Sequence, residues 1–344
     1  MTKTMFVKNA SIGMLLPCMM IAQTPQASFA DPVPSGRFEA KNGIELYTSA
    51  EALLFHITQD DFPIGYLTNV SDSPANGVSY LNDNFHYRQH WKWGFRLVAG
   101  YHFKHDSWDL EADYLRFTAV YDRGIIIPST SPYRLVAGAQ VSDIYTVKNK
   151  AGSFRWSVNL NQWDLLQSKT FHLSKYFRFK PGLGLRNLIL GQGFTSRITN
   201  ENNAYLTSKN FIHFWGMGVL GTLDTIWSLN RQFSLYGKLG LSSMFGHYSA
   251  RLKDKISLYP ATLNYVPTLQ KNSKTCLDLS IGAQFDKNFY NDKFHLGINV
   301  GFEQHTYFNM NKSFYGFDQA LIYDGSSGRD FVMQGFTFGL RADY

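Results

Sequence analysis

The chain has 344 residues, a formal net charge of +7 and 16% aromatic side chains, a length that suits one or two domains. No run of about 18 apolar residues is available to cross a bilayer as a helix, which excludes a helical membrane protein. With two cysteines, Cys18 and Cys276, there is no internal disulfide framework, and no aromatic-basic interleaving points to nucleic acid.

The amino terminus reads as a secretory signal over residues 1–30. Lys3 and Lys8 precede an apolar core at 12–22, and Ser28-Phe29-Ala30 supplies small residues before Asp31. Pro17 before Cys18 and Met19-Met20-Ile21 after it argue against a lipid-anchor site. Export would leave Cys276 as the one thiol, expected to be inert at a strand start. Residues 31–42 read as a polar lead-in, and 43–344 as one domain.

That domain is written in alternating runs. Ile44, Leu46, Thr48, Ala50, Ala52 and Leu54 share one face, with Glu45, Tyr47, Ser49 and Glu51 on the other. After a polar stretch to residue 90, Trp91, Trp93, Phe95, Leu97, Ala99, Tyr101 and Phe103 alternate with Lys92, Gly94, Arg96, Val98, Gly100 and His102. Lys104-His105-Asp106-Ser107 is turn-like, and Trp108, Leu110, Ala112 and Tyr114 then alternate with Asp109, Glu111 and Asp113. Two such strands joined by four polar residues make a hairpin. Further runs are expected at 154–165, 177–186, 211–223, 233–242, 277–285, 294–303 and 336–344. In the first of these, Phe154, Trp156, Val158 and Leu160 change parity to Trp163 and Leu165, which reads as a bulge near Asn161-Gln162.

Ten runs of about 10–14 residues match strands that need about 9–11 residues to cross a bilayer at a tilt. Their connections alternate long and short, with five long polar segments at 57–90, 119–153, 189–210, 246–274 and 306–330. Barrels of the outer membrane have short periplasmic turns and long external loops, whereas a soluble sandwich has shorter strands. Aromatic residues crowd the run ends, where interfacial girdles lie. The predicted fold is therefore an all-β, antiparallel transmembrane β-barrel of ten detectable strands, or twelve or more if the long segments hide others, with 248–256 a candidate. The last run, from Phe336 to Tyr344, should meet the first and is expected to be what the barrel-assembly machinery reads.

Trp93-Gly94-Phe95-Arg96 to Gly100-Tyr101, followed by His105-Asp106-Ser107-Trp108-Asp109-Leu110, resembles the "WGFR…GY…HDGWD" hairpin of the Legionella-type major outer membrane protein family, which also covers chlamydial major-outer-membrane-protein-like chains. Phe179-Lys180-Pro181 to Gly184-Leu185-Arg186, Phe214-Trp215-Gly216-Met217-Gly218, Phe302-Glu303-Gln304-His305 and Met333-Gln334-Gly335-Phe336 to Gly339-Leu340-Arg341 extend the resemblance over residues 40–344. It implies an abundant outer-membrane barrel acting as a porin or adhesin, with no catalytic motif to carry over. The chain lacks the many cysteines of the chlamydial proteins, so disulfide cross-linking of the envelope is not carried over.

Parity assigns the lumen. Lys92, Arg96, Arg155, Arg178, Lys180, Arg186, Lys238 and Arg341 should face inward with Glu45, Glu51, Asp109, Glu111, Asp113, Asp278, Glu303 and Asp343. Unpaired buried charges are costly, so salt bridges filling a narrow interior are one reading. A charged constriction that filters solutes is the other. Barrels of about 8 strands are filled by side chains and those of 16–18 hold a channel, which leaves ten strands in between. Lys148, Lys150, Lys253, Lys255, Lys271 and Lys274 read as solvated loop lysines, with attraction of anionic surface sugars or lipid headgroups as the alternative.

A loop-borne hydrolase was weighed on His56 with Asp60-Asp61, and on His305 with Asp318 or Asp330. No G-x-S-x-G elbow, H-E-x-x-H, phosphate-binding or calcium loop accompanies them. Metal binding at Gln304-His305 or His86-Tyr87-Arg88-Gln89-His90 was set below an interfacial role. The expectation is an outer-membrane, porin-like channel for small hydrophilic solutes, with a closed structural or adhesive barrel as the alternative. No catalysis, cofactor or metal is expected. The expected partners are outer-membrane lipid, the assembly machinery and small solutes, not nucleic acid, with homo-oligomerisation left open.

Overall fold

A computed structural model describes residues 45–59, 65–69, 90–103, 107–128, 130–131, 133–137, 149–257, 262–265, 270–289, 294–311, 314–317, 320–323 and 329–344. The expected signal segment and lead-in lie outside these residues, as do Cys18, Asp60, Asp61, Lys148 and Asp318.

Ten strands form the wall: β1 (Glu45–Gln59), β2 (Lys92–Phe103), β3 (Trp108–Ile126), β4 (Asn149–Lys169), β5 (Phe177–Asn200), β6 (Tyr205–Ser228), β7 (Phe233–Ile256), β8 (Gln270–Phe289), β9 (Phe294–Asn311) and β10 (Arg329–Asp343). Each pairs antiparallel with its sequence neighbours. The sheet closes where β10 meets β1, with Phe336 opposite Leu54 and Leu340 opposite Ala50. Closure leaves no strand edge exposed, which is what a sheet in lipid requires. The expected ten-strand antiparallel barrel is the observed one.

Strand length departs from expectation. β5, β6 and β7 each run 24 residues, about twice the ~9–11 needed to cross a bilayer. The expected long segment at 189–210 is mostly strand. Its connection is the four-residue stretch 201–204, where the Asn200 Oδ1 accepts from Ala204 N–H at 2.8 Å and Asn203 takes φ 61°. Residues 248–256, a candidate extra strand, are instead the upper end of β7. The other end of the barrel carries the short connections at 104–107, 170–176, 229–232 and 290–293.

Smaller pairs decorate the long-loop end. Gly65–Asn69 pairs with Tyr133–Ala137, Phe314–Phe317 with Ala320–Tyr323, and Thr262–Tyr265 extends the sheet beside β7. Leu135 is fully buried against Ile127, Phe154 and Ile198, so the loop between β3 and β4 is tied to the barrel's upper interior.

The wall has two chemistries. Toward the short turns, β3 points Trp108, Leu110 and Ala112 outward and Asp109, Glu111 and Asp113 inward. Toward the long loops the same strand buries Leu115, Phe117, Ala119 and Tyr121 inside and exposes Arg116, Thr118 and Asp122 outside. Side-chain parity never changes; only the residues do. β4 repeats this, with Trp163 and Leu165 outward below, and Phe154, Trp156, Val158 and Leu160 buried inside above. No bulge occurs at Asn161-Gln162, because the pairing with β3 runs unbroken from Lys169 to Ala151. The lower part is thus oily outside and polar inside, as lipid demands, and the upper part is a water-soluble barrel with an apolar core. Exposed and half-buried aromatics ring the lower part at two levels. Tyr114 stacks on Trp163 at 4.1 Å and Trp91 meets Phe336 at 5.8 Å at the upper level. Tyr101 meets Phe103 at 4.6 Å and Phe233 meets Phe285 at 4.9 Å at the lower.

Candidate functional site

The lumen is the candidate site, and it has three storeys. The uppermost is a packed apolar layer contributed by every barrel strand except β2. Tyr121, Trp156 and Phe194 stack in sequence at 5.3 and 5.8 Å, and Phe55 meets Phe117 at 6.0 Å. The Tyr307 hydroxyl of β9 donates to Gln162 Oε1 of β4 at 2.9 Å. Four strands lie between β4 and β9 in either direction round the wall, so this bond spans the barrel axis.

Beneath it lies a belt of ion pairs. Arg96 binds Glu303 at 2.6 Å and Glu51 at 2.8 Å, with Asp113 at 3.4 Å. The Nε2 of His305 lies 3.1 Å from Glu303, and its Nδ1 meets Asp278 at 2.6 Å. Asp278 then binds Arg186 at 2.5 Å, and Arg186 holds Asp164 through two nitrogens at 2.7 and 2.8 Å. Seven strands are linked in one network. Each arginine fork holds more than one carboxylate, which is what lets guanidinium groups sit so deep. Cys276 faces inward at the border, buried and free, with its Sγ donating to Asp278 Oδ1 at 3.2 Å. It lies inside β8 rather than at its start.

The lowest storey is polar and loosely filled. Three adjoining cavities of ≈ 80, 90 and 120 Å³ run from the belt toward the short turns, each large enough for several waters. Asp224 lines all three, while Lys238 lines the upper two and keeps an exposed side chain inside the barrel. Tyr47 donates to Glu111 Oε2 at 2.7 Å, and its ring carries the Arg341 guanidinium at 4.1 Å. That ring occupies the space where Gly100 would carry a Cβ, so glycine is required there. Lys180 pairs with Asp109 at 2.9 Å, and His102 also bonds Asp109. His295 bridges Asp343 at 2.5 Å and Asp286 at 3.1 Å.

Most predicted lumen residues stand where parity put them. Glu51, Arg96, Asp109, Glu111, Asp113, Lys180, Arg186, Lys238, Asp278, Glu303, Arg341 and Asp343 all line the interior. Arg178 lines the lowest cavity, and the Lys92 ammonium lies 5.5 Å from the Tyr121 ring, under the apolar layer. Glu45 opens β1 opposite His102, with its side chain outside the description. Arg155 is a correction. It projects outward on the upper wall, 3.7 Å from Asp122, because apolar side chains take the inside of β4 there.

Asp164, Asp224, Asp286 and His305 are lumen groups that sequence reasoning does not place, while His102 and His295 fall on the polar face by alternation but outside the expected set of lumen charges. Asp224 and Asp286 each lie one residue beyond an expected run, and Asp164 lies beyond the expected bulge at Asn161-Gln162. The hydrolase candidates are not assembled: His305 is inside, Asp330 accepts Asn309 N–H on the exposed side at 2.9 Å, and His56 lies against Trp91 at 5.7 Å. Among the described residues, no group of three or more His, Cys, Asp or Glu side chains is placed to hold a metal ion.

The family described as Legionella pneumophila major outer membrane protein precursor matches residues 48–344. The chain belongs to that family. No curated protein matches it. Among solved structures it is similar to Ail, the attachment invasion locus protein of Yersinia pestis, at 13% identity over 88% of this chain and 99% of that one, with a TM-score of 0.23. A Pseudomonas aeruginosa FadL homologue matches at 10% identity over 88% and 90%, TM-score 0.26. The Pseudomonas putida toluene transporter TodX matches at 8% identity over 89% and 90%, TM-score 0.27. Membership of the family places this barrel in the outer membrane.

Proposed function

We propose that this family member is a closed outer-membrane barrel that carries its external segments above the membrane, with no standing aqueous channel along its axis. The observation that carries the reading is the Tyr307–Gln162 hydrogen bond across the axis, set in an apolar layer drawn from nearly the whole wall. Apolar side chains that pack to full burial leave no file of water for a hydrophilic solute. Single-channel recording in planar bilayers tests this. Folded, heat-modifiable protein should give no conductance steps, whereas reproducible steps from native protein would overturn the closed reading.

A second reading, the porin-like channel, is favoured by the cavities of the lower storey and by Lys238 standing exposed within it. On that reading solutes pass when the apolar layer moves aside. The same recordings separate the two: a Phe117→Gly, Tyr307→Gly double variant should conduct where the native barrel does not. Steps of equal size from both proteins would favour the channel.

The closing strand is proposed as the segment the assembly machinery engages. Ala342 pairs with both Thr48 and Leu296, so it belongs to the seam that closes the wall. Deleting residues 342–344 should leave the chain exported but unassembled, and a truncate that still becomes heat-modifiable on a gel would remove this role.

A further inference from the structure

The upper wall is not uniformly charged on its outer surface. On β5 to β7, above Trp215, the outward side chains include Arg197, Lys209, Arg251, Lys253 and Lys255, and Lys271 of β8 stands in the Trp215 row, all exposed. Lys209 and Lys253 are direct cross-strand partners, and Thr207 stands between Arg197 and Lys255 in one row. Among the described residues, the acids on the upper part of these strands and their turn are Asp254, buried and facing inward, and Glu201 in the turn. Like charges placed opposite each other across a ladder destabilise it. The β3–β4 wall does the opposite and pairs Arg155 with Asp122. These lysines are therefore not the scattered loop residues expected from sequence; strand geometry gathers Lys253, Lys255 and Lys271 on one face, while Lys274 turns inward and donates to the Asn309 carbonyl.

What lies beneath that face identifies what would neutralise it. Trp215, Met217 and Phe245 are exposed there, and Phe211, exposed in the same row as Arg251, continues the lipid-facing band upward into the basic face. At about 3.3 Å per residue, Lys209 stands some 20 Å along the strand from Trp215, and less in height because barrel strands tilt. That is the depth of a phosphorylated sugar headgroup whose acyl chains lie against the apolar band. We propose that the outer face of β5–β8 binds the phosphorylated glycolipid of the outer leaflet, its phosphates held by Lys209, Arg251 and Lys253 and its sugars and chains resting on Phe211, Trp215 and Phe245. Ammonium and guanidinium groups pair with phosphate oxygens by charge-assisted hydrogen bonds. This inference is independent of whether the lumen conducts.

The test uses the full chain in detergent with purified rough-type lipopolysaccharide as the probe, and the same material stripped of phosphate as its control. The Lys209→Gln, Arg251→Gln, Lys253→Gln variant should bind the phosphorylated glycolipid at least about tenfold more weakly. An Arg116→Gln, Arg155→Gln variant on the balanced wall should bind as native, and Lys209→Arg, Lys253→Arg should retain binding. Each variant is scored on heat-modifiable protein. Independently of any variant, rising ionic strength should weaken binding by the native barrel. Equal binding by the triple variant, equal binding of the phosphate-free glycolipid, or native binding indifferent to salt would each overturn the proposal.

Discussion

The lower and upper halves of β3 use one backbone phase for two opposite purposes. Below, Leu110 faces lipid and Asp109 faces the lumen; above, Thr118 faces water and Phe117 faces a packed core. A strand's parity is a property of its backbone, but the chemistry each face needs depends on what lies beyond it. Crossing the membrane surface swaps both media at once. The residues invert while the pairing does not.

The comparison breaks most severely at its interior. Arg96→Ala leaves Glu51, Glu303 and Asp113 without their shared cation and should cost about 3–5 kcal/mol. Phe117→Ala, in the apolar layer, should cost a similar ~3–5 kcal/mol through the cavity it leaves. Urea unfolding of vesicle-inserted protein measures both losses, and acid separates them. Neutralising the orphaned carboxylates at low pH should return part of the Arg96→Ala loss and none of the Phe117→Ala loss. Equal responses to acid would mean that the two storeys are not chemically distinct.

The outer surface provides a smaller contrast. Ile281 projects into lipid, and Ile281→Arg should cost about 2–4 kcal/mol near the bilayer centre. Val120 projects from the upper wall of β3, and Val120→Arg should change stability by no more than ~0.5 kcal/mol. If the two substitutions cost the same, the membrane surface has been drawn at the wrong level. The smallest effect belongs to the β2–β3 turn. Ser107 takes φ 56°, where the family's hairpin carries glycine, so Ser107→Gly should stabilise by up to about 1 kcal/mol in the same titration.

This inversion explains what was legible in the sequence. The ten strands and their order could be read because each lower half carries large apolar residues at every second position, as in Trp93, Phe95 and Leu97. Upper halves read as loops, since Thr195, Arg197 and Thr199 outside and Phe194, Ile198 and Asn200 inside make no oily stripe on the expected parity. The same cause made Trp156 and Trp163 look like the two sides of a bulge and sent Arg155 to the wrong face. Within the lumen, Glu51, Arg96 and Asp113 could be placed by alternation alone. The links His305 makes to Glu303 and Asp278 depend on side chains meeting across neighbouring strands, which alternation within one strand does not encode.

The bond from Tyr307 to Gln162 also has a bearing on how the protein is made. Its partners are 145 residues apart in the chain and can meet only when the two arcs of the wall have joined, so it belongs to the last events of folding. Until then Phe117, Trp156 and Phe214, all buried in the finished barrel, line an open sheet and face water. Before it closes, the chain therefore carries two sticky surfaces, one destined for lipid and one for its own interior. Insertion alone protects the first. The second is hidden only by closure, which makes a half-zipped barrel the most aggregation-prone form this polypeptide passes through.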